Sequence, residues 1–417
     1  VRVLVLGAGV VGLCAAHALA RDGHAVTVLD RRQGVALEAS YANGGQLSYS
    51  YVAPLAGPGV LPYLPSWLLR ADGPTRFRPR LDPHQWRWGL KFLAACTAGR
   101  AAETTRRLLD LSFLSRDLLH ALVEEEELDF DYARAGKLVV HSDPAAFEAA
   151  RRLLDYQRSL GCEKEALDAE GCLAVEPALR HLRHRLVGGI MTHSEDAGDC
   201  RRFCLALESL LRRDNMAVEF LLGVTARELV AAEGRILGVA TDRGVVEADA
   251  VVLAAGAGAR SLASPLGVDL PVYPLKGYSL SLPVRDAAAA PRVSVTDYAN
   301  KIVYARLGDR LRVAGMADLT GYDPGFDPAR LSLLIRQARA AFPEASDFRE
   351  LNPWTGLRPA TPTGMPLLGP VPRWPNLFLD LGQGALGFTL AMGSARVVAD
   401  QLSGREPPIP VESFRPA

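Results

Sequence analysis

Runs and alternations of apolar residues divide the chain before any motif is considered. An apolar run to Leu6, a helical stretch from Leu13 to Ala20 and the strand-like Ala25-Val-Thr-Val-Leu-Asp30 read as strand, tight glycine turn, helix and strand, a βαβ unit. Residues 41–80 hold glycines, prolines and aromatics without a sustained period, and so long an irregular stretch inside a domain is usually functional. Helical spacing returns over 84–127 and over Pro144–Leu160, and Asp199 stands as an N-cap before a helix from Cys200 to Arg213. Short alternating segments at Ala217–Leu222, Arg235–Asp242 and Val245–Ala248 lead into Ala250-Val-Val-Leu-Ala-Ala-Gly256, which reads as a buried parallel strand ending in glycine. Tyr278–Leu282, Lys301–Tyr304 and Arg310–Ala314 carry the signals of a second, antiparallel sheet, and Asn376–Gly404 reads strand, glycine turn, helix.

At 417 residues the chain exceeds the size of a single hydrophobic core, so two domains are expected. Lys and Arg together number 47 and so do Asp and Glu, which leaves no global charge to favour nucleic acid as a partner. The six cysteines are scattered with no C-x-x-C pair, and His181 and His184 share a helical spacing among repelling arginines, so no metal site is expected. The cysteine pattern fits a reducing compartment. With neither a signal-peptide pattern nor eighteen consecutive apolar residues, the expectation is a cytoplasmic protein. Leu55–Leu69, apolar between prolines and free of negative charge, is read either as a lid or as a peripheral contact with the inner face of the cell membrane.

Gly7-Ala-Gly9-Val10-Val11-Gly12 fills the G-x-G-x-x-G template between the first strand and helix, and Asp30 ends the next strand. Gly7 allows the turn, Gly9 lets backbone approach a pyrophosphate, Gly12 lets helix and strand pack, and the helix N-terminus faces the negative charge. Arg31 and Arg32 would suit a 2′-phosphate, but Asp30 repels one, so FAD or NAD is favoured over NADP. Strand-then-glycine signals recur at Val251–Gly258 and Leu377–Gly387. A cofactor domain assembled from three separate stretches is the pattern of FAD domains with an inserted substrate domain. The expected fold is therefore α/β: a discontinuous Rossmann-type FAD-binding domain (1–80, 190–268, 353–417) interleaved with an α+β substrate domain containing an antiparallel sheet (81–189, 269–352).

Ser40-Tyr-Ala-Asn-Gly-Gly-Gln-Leu-Ser48, Glu176-Pro-Ala-Leu179, Gly198-Asp-Cys200, Tyr273-Pro-Leu-Lys-Gly-Tyr-Ser279, Trp354-Thr-Gly-Leu-Arg-Pro359 and Leu386-Gly-Phe-Thr-Leu390 occur in this order. Together they resemble the bacterial D-amino acid dehydrogenases, within the D-amino acid oxidase and glycine oxidase superfamily, from Val1 to about Gly404. The resemblance implies FAD, a D-amino acid donor, an imine that water converts to a 2-oxo acid and ammonia, and a quinone or other acceptor that is not oxygen. Related sarcosine oxidases tether flavin through a cysteine near the segment matching Gly356–Thr361, where this chain has none, so FAD is expected to bind noncovalently. Two other readings stay open: an oxidase of glycine, sarcosine or a cyclic imino acid such as D-proline, and a noncatalytic FAD-binding subunit.

Arg358, in its Leu-Arg-Pro setting, is the expected clamp for the substrate carboxylate, since a guanidinium fork matches two carboxylate oxygens. Tyr278 is expected to add its hydroxyl to that carboxylate and Lys276 to place a positive charge near the flavin. Asn43, Gly44, Gly45 and Gln46 are expected to turn under the flavin with backbone N–H groups toward it. Gly384, Ala385, Leu386 and Gly387 open a helix whose amides would stabilise negative charge. Gln383 and Phe388 stand where relatives tend to carry histidine and tryptophan, and Thr363 where an aspartate is common. Ala226, Ala255 and Gly256, at the remaining strand-to-turn positions, complete the expected cofactor contacts. Hydride transfer from carbon to flavin needs orientation and a neutral amine, not an acid/base dyad, so none has to be found.

Overall fold

The computed structural model describes residues 1–70, 72–213, 216 and 218–416. Its centre is a six-stranded sheet ordered Leu367–Val371, Trp374–Leu381, Ala250–Leu253, Arg2–Leu6, Ala25–Asp30, Glu219–Leu222. All neighbours run parallel except the first pair. The unbroken apolar runs of its strands follow from burial on both faces. Val3 and Val5 enter one core with Leu13, Cys14, Leu207 and Leu390, while Leu4 and Leu6 enter another with Leu229, Val239 and Leu262. Helices Val10–Arg21, Cys200–Leu211 and Gly387–Leu402 therefore cover one side. A separate three-stranded meander, Ala226–Ala232, Arg235–Thr241 and Gly244–Glu247, covers the other with helix Ala259–Ala263.

The second sheet has nine strands. Its order is Pro353–Ala360, Tyr273–Pro283, Arg310–Leu319, Ile302–Leu307, Ser294–Asp297, Lys137–His141, Gly188–Thr192, Lys164–Asp168, with Thr75–Phe77 alongside Arg310–Leu319. Tyr278, Leu280 and Leu282 point to a core shared with Leu334, Ala338 and Phe342 of and after helix Pro328–Ala341. The other face looks toward residues 41–51: Ser279 Oγ donates to the Ala42 carbonyl at 2.6 Å and the Gln46 amide reaches the Val295 carbonyl at 3.3 Å.

Several elements depart from the expectations. The helical stretch over 84–127 is two helices, Pro83–Ala95 and Ala98–Glu125, because Thr97 turns extended and caps the second by accepting from the Arg100 N–H. Pro144–Leu160 likewise divides at Leu153 into Pro144–Arg152 and Leu154–Ser159. The strand expected from Ala217 begins at Glu219, and Ala217 lies outside the described residues. Pro353–Ala360 pairs along Tyr273–Leu280 and so belongs to the antiparallel sheet, although 353 onward was expected with the cofactor segments. Helix Ala98–Glu125, expected in the substrate domain, packs into the core of the six-stranded sheet. A side chain at Gly393 would lie 2.6 Å from the Leu111 carbonyl, so the two long helices cross with backbone close to backbone.

Candidate active site

Three glycine-bearing turns leave the carboxyl ends of adjacent parallel strands, where open α/β sheets bind ligands. Gly7–Gly12 follows Arg2–Leu6, Ala254–Gly258 follows Ala250–Leu253, and Gly382–Gly387 follows Trp374–Leu381. The first two are pressed together: a Cβ at Gly7 would stand 2.5 Å from the Ala254 carbonyl, and one at Gly12 would stand 1.9 Å from the Gly7 carbonyl. Neither position can take a side chain. Other glycines of these turns are unobstructed, with nothing within 4 Å of a Cβ at Gly256, Gly258 or Gly387. Helix Val10–Arg21 begins with no side-chain cap from Gly9 and no acid in its first turn, although Ser40 Oγ accepts the Val10 N–H at 3.0 Å. Its positive end therefore carries no acid of its own first turn.

Asp30 serves this turn through its backbone. One carboxylate oxygen accepts the Ala8 N–H at 2.8 Å and the other the Arg32 N–H at 2.8 Å. Arg31 and Arg32 both reach Glu38, at 2.8 and 2.7 Å, a partner the sequence reading missed. Ala226 sits at the start of the meander, two residues past Val224, whose N–H reaches the Asp30 carbonyl at 3.0 Å.

Residues 43–50 form a strap between the two sheets. The Asn43 side chain accepts the Gly45 N–H at 3.1 Å while its carbonyl accepts from Arg312 at 2.5 Å. Gly45 has φ +67°, and a Cβ there would meet Leu307 at 2.8 Å; one at Gly44 would meet Val303 at 3.0 Å. These glycines thus lie flat on the antiparallel sheet. Further along, almost every polar group is held by a different element. Ser48 Oγ accepts from Lys137 Nζ (2.8 Å) and Ser48 N–H donates to Thr389 (3.1 Å). Tyr49 Oη donates to Asp196 (3.0 Å), while Ser50 N–H donates to Glu195 (2.7 Å) and its carbonyl accepts from Lys164 (2.9 Å). Burial pushes the Lys137 ammonium down to about 8, with Glu195 opposing, and it raises the Glu195 carboxyl above its ordinary range.

Arg358 lies on the strap-facing side of the antiparallel sheet. Register places it opposite Leu275 and Gly356 opposite Gly277, so Arg358, Gly356, Gly277 and Ser279 share one face. Its guanidinium covers Gly277: a Cβ there would be 2.3 Å from the nearest guanidinium nitrogen. The same group donates to the Met316 carbonyl at 2.8 Å. Loss of water lowers its pKa below the ordinary guanidinium value, and Asp318 opposes that shift. Two residues on, Ala360 bridges Gln383, which brings the Arg358 strand to the C-terminal glycine turn. The Arg358 strand and the Gly382–Gly387 turn are thereby neighbours.

The profile of the family described as FAD dependent oxidoreductase matches residues 2–401. The chain belongs to that family. Among proteins similar to this FAD-dependent oxidoreductase are "D-amino acid dehydrogenase 2" of Ralstonia nicotianae, 52% identical with 98% of each chain covered, and "D-amino acid dehydrogenase 2" of Pseudomonas aeruginosa, 49% identical over 100% of this chain and 98% of that one. The fold is shared with glycine oxidase from Geobacillus kaustophilus at a TM-score of 0.79 and 20% identity, covering 100% of this chain and 98% of that one. It is also shared with L-proline dehydrogenase from P. horikoshii at a TM-score of 0.74 and 16% identity, covering 100% and 96%.

The residues present fit FAD. A helix end with no acid in its own first turn suits a pyrophosphate, Gly256, Gly258 and Gly387 leave open space beside it, and Glu38 occupies the two arginines that a 2′-phosphate would need. Other expected site residues of this oxidoreductase lie elsewhere. Tyr278 is fully buried on the opposite face of the sheet from Arg358, its hydroxyl 3.4 Å from Asp318, and burial with that carboxylate raises its pKa. Lys276 shares that face and donates to the Gly325 carbonyl at 2.9 Å. Strand alternation is the reason: both are an odd number of positions from the Leu275 that faces Arg358. Gln383 points inward, donating to Asp380 at 2.7 Å, and burial raises the Asp380 carboxyl well above the usual range. Among the described residues no His, Cys, Asp and Glu cluster has the form of a metal site.

Proposed function

We propose that the chain catalyses oxidative deamination of D-amino acids, yielding 2-oxo acids and ammonia with electrons passed on to a quinone or other acceptor that is not oxygen. The observation that carries this reading is the Arg358 guanidinium, held over the bare backbone of Gly277 on the strand that meets the C-terminal glycine turn. The printed names of the two bacterial relatives support the choice of substrate.

On this reading the six-stranded sheet holds FAD and the nine-stranded sheet holds substrate. Helix Val10–Arg21 receives the pyrophosphate, and Asp30 fixes the Gly7–Gly12 turn while keeping lone pairs for the adenosine ribose. The strap at Asn43–Gln46 and the turn at Gly384–Gly387 would hold the flavin, offering it backbone N–H groups. When bound, FAD supplies the acceptor for the Cα hydride. Arg358 takes the substrate carboxylate in a two-point grip and so fixes which face of Cα is presented. Tyr278 and Lys276 act from behind the sheet: Tyr278 buttresses Asp318, and Lys276 anchors the Gly325 loop. Gln383 secures the C-terminal turn through Asp380.

The apolar segment Leu55–Leu69 supports docking on an anionic membrane surface, with modification. Trp67 turns inward and packs on Phe92 with ring centroids 6.0 Å apart, whereas Leu61, Tyr63, Leu68 and Leu69 are exposed. Helix Pro83–Ala95 also exposes Trp86, Leu90 and Leu93. Residues 51–100 contain seven basic and two acidic side chains, the charge an anionic bilayer attracts. Among the described residues no helix is long and apolar enough to cross a membrane.

The test is anaerobic: FAD-loaded protein is mixed with a panel of D-amino acids, with L-isomers and glycine as controls. Bleaching of the flavin by D-isomers alone, without peroxide formation in air, is the expected result. Reduction by glycine with peroxide would install the oxidase reading instead, and a flavin indifferent to every amino acid would leave a noncatalytic subunit.

A further inference from the structure

Trp354 stands on the same strand as Arg358, four positions earlier and on the same face. Its indole covers Gly356 as closely as the guanidinium covers Gly277: a Cβ at Gly356 would lie 1.9 Å from the Trp354 ring. Gly277 and Gly356 are directly opposite each other, and opposed Cβ positions are about 4.5–5.5 Å apart. Indole and guanidinium are therefore within about 10 Å of one another, side by side over a two-glycine floor. The indole is braced from outside. Tyr41 stacks on it with ring centroids 6.4 Å apart and planes 27° apart, and the Arg201 guanidinium lies 4.3 Å from the centre of the Tyr41 ring. Tyr41 immediately precedes Ala42, whose carbonyl accepts from Ser279, so the stack is tied into the strap. Trp354 itself is half-buried, not sealed in a core.

We propose that Trp354 is a specificity-determining residue, the apolar wall against which the side chain of an amino acid lies once Arg358 has taken its carboxylate. The inference rests on the reading of Arg358 given above and adds a substrate class to it: D-amino acids with a large apolar or aromatic side chain. A planar indole held on one side by a Tyr–Arg stack offers its surface at little entropic cost, and a ring-against-ring contact adds to simple area burial. The neighbouring positions on this face of the strand pair are Gly277, Gly356, Ser279, Arg358 and Leu275, and Leu275 is committed to a core with Trp88 and Phe92, which leaves the indole as the large apolar surface among them.

The test compares wild type, Trp354→Phe and Trp354→Ala as FAD-loaded enzymes, each checked for flavin content. The first readout is the ratio of kcat/KM for D-phenylalanine to that for D-alanine in anaerobic flavin reduction. The second involves no chemistry: dissociation constants of 3-phenylpropanoate and propanoate, carboxylates without an amine, followed through the flavin spectrum. Trp354→Ala is expected to lower the reactivity ratio about tenfold and to cost 3-phenylpropanoate, relative to propanoate, a similar factor, while Trp354→Phe keeps most of both. A ratio that stays constant or rises in Trp354→Ala overturns the inference and leaves the function of the site standing. A wild-type flavin that no D-amino acid reduces defeats the functional reading first, and this inference with it. Should Trp354→Ala lose its flavin, Trp354→Phe and Trp354→Leu decide: an unchanged ratio in Trp354→Leu also overturns it.

Discussion

Arg358 occupies the space that any side chain at Gly277 would need, with one guanidinium nitrogen 2.3 Å from the position of the missing Cβ. The glycine is thus part of the clamp. Gly277→Ala must push the guanidinium aside, and a displacement of about 1 Å at a substrate-positioning group can cost about 100-fold in rate. The variant is expected to keep its flavin and its absorbance spectrum yet lose about that factor in kcat/KM for its best amino acid. Wild-type kinetics in Gly277→Ala would mean that Arg358 grips nothing.

Replacing Arg358 by lysine keeps the charge and removes the planar fork. Paired charge-assisted hydrogen bonds collapse to a point contact, and a loss of about 10- to 100-fold in kcat/KM is expected, with flavin content unchanged. Arg358→Lys measured beside Arg358→Met separates charge from shape; equal activity in both would remove the guanidinium from the mechanism.

Asp30 ties the glycine turn to its own strand through the Ala8 and Arg32 N–H groups. Asp30→Ala leaves both donors unsatisfied, a cost of about 1–3 kcal/mol each where they are desolvated. The expected signature is FAD lost on gel filtration and regained on adding excess cofactor, with the kcat of the reloaded enzyme near wild type. Tight retention of flavin would show the turn to be held by packing alone.

His17 is buried in the core beside Arg21, and burial lowers its pKa from 6.5 to about 4. Its folded form resists protonation that the unfolded chain accepts near pH 6.5, so the unfolded state binds more protons between those values and stability falls as pH drops through the window. The contribution is full above about pH 6.5 and about 3 kcal/mol of it is gone by about pH 4. His17→Leu should flatten the fall in Tm between pH 7 and pH 4.5. Parallel Tm profiles would contradict this.

Leu68 and Leu90 project from two neighbouring helical segments of the exposed apolar and basic region. The double variant Leu68→Glu/Leu90→Glu should no longer sediment with vesicles rich in phosphatidylserine, and raised salt should weaken wild-type sedimentation because part of the attraction is electrostatic. Flavin reduction by amino acids should persist. Undiminished sedimentation of the variant would return Leu55–Leu69 to the role of a lid.

The elements with strong local signals were legible in the sequence: the glycine fingerprint with its flanking strands, the apolar run at Val251, and the strand, turn and helix after Asn376 all stand in one sheet. Lys276 and Tyr278 were harder because strand pairing decides which side chains face each other, and register is not written in either strand alone. Only the alignment of Leu275 with Arg358 reveals that Tyr278 looks the other way. A local clue was available in Gly277, since glycine inside a strand often marks a close approach. Glu38 escaped notice because it lies in an irregular loop whose path brings it back to Arg31 and Arg32. The break at Cys96–Thr97 went unseen because the apolar spacing continues across it, while the Thr97 cap that ends the register is a tertiary choice.

The arrangement of the parallel sheet also dictates when it can be made. Val3 borders Val26, which follows it closely in the chain, but its other neighbour, Ala250, leaves the ribosome only after the long stretch between Val26 and Ala250 has been made, and Leu377 must still follow to flank Val251. At ordinary elongation speeds that delay is on the order of tens of seconds. Throughout it, the opening strand–helix–strand unit of the nascent chain exposes an unpaired apolar border, so chaperone supply and slow, cool expression should govern the yield of native material more strongly than the stability of the finished molecule does.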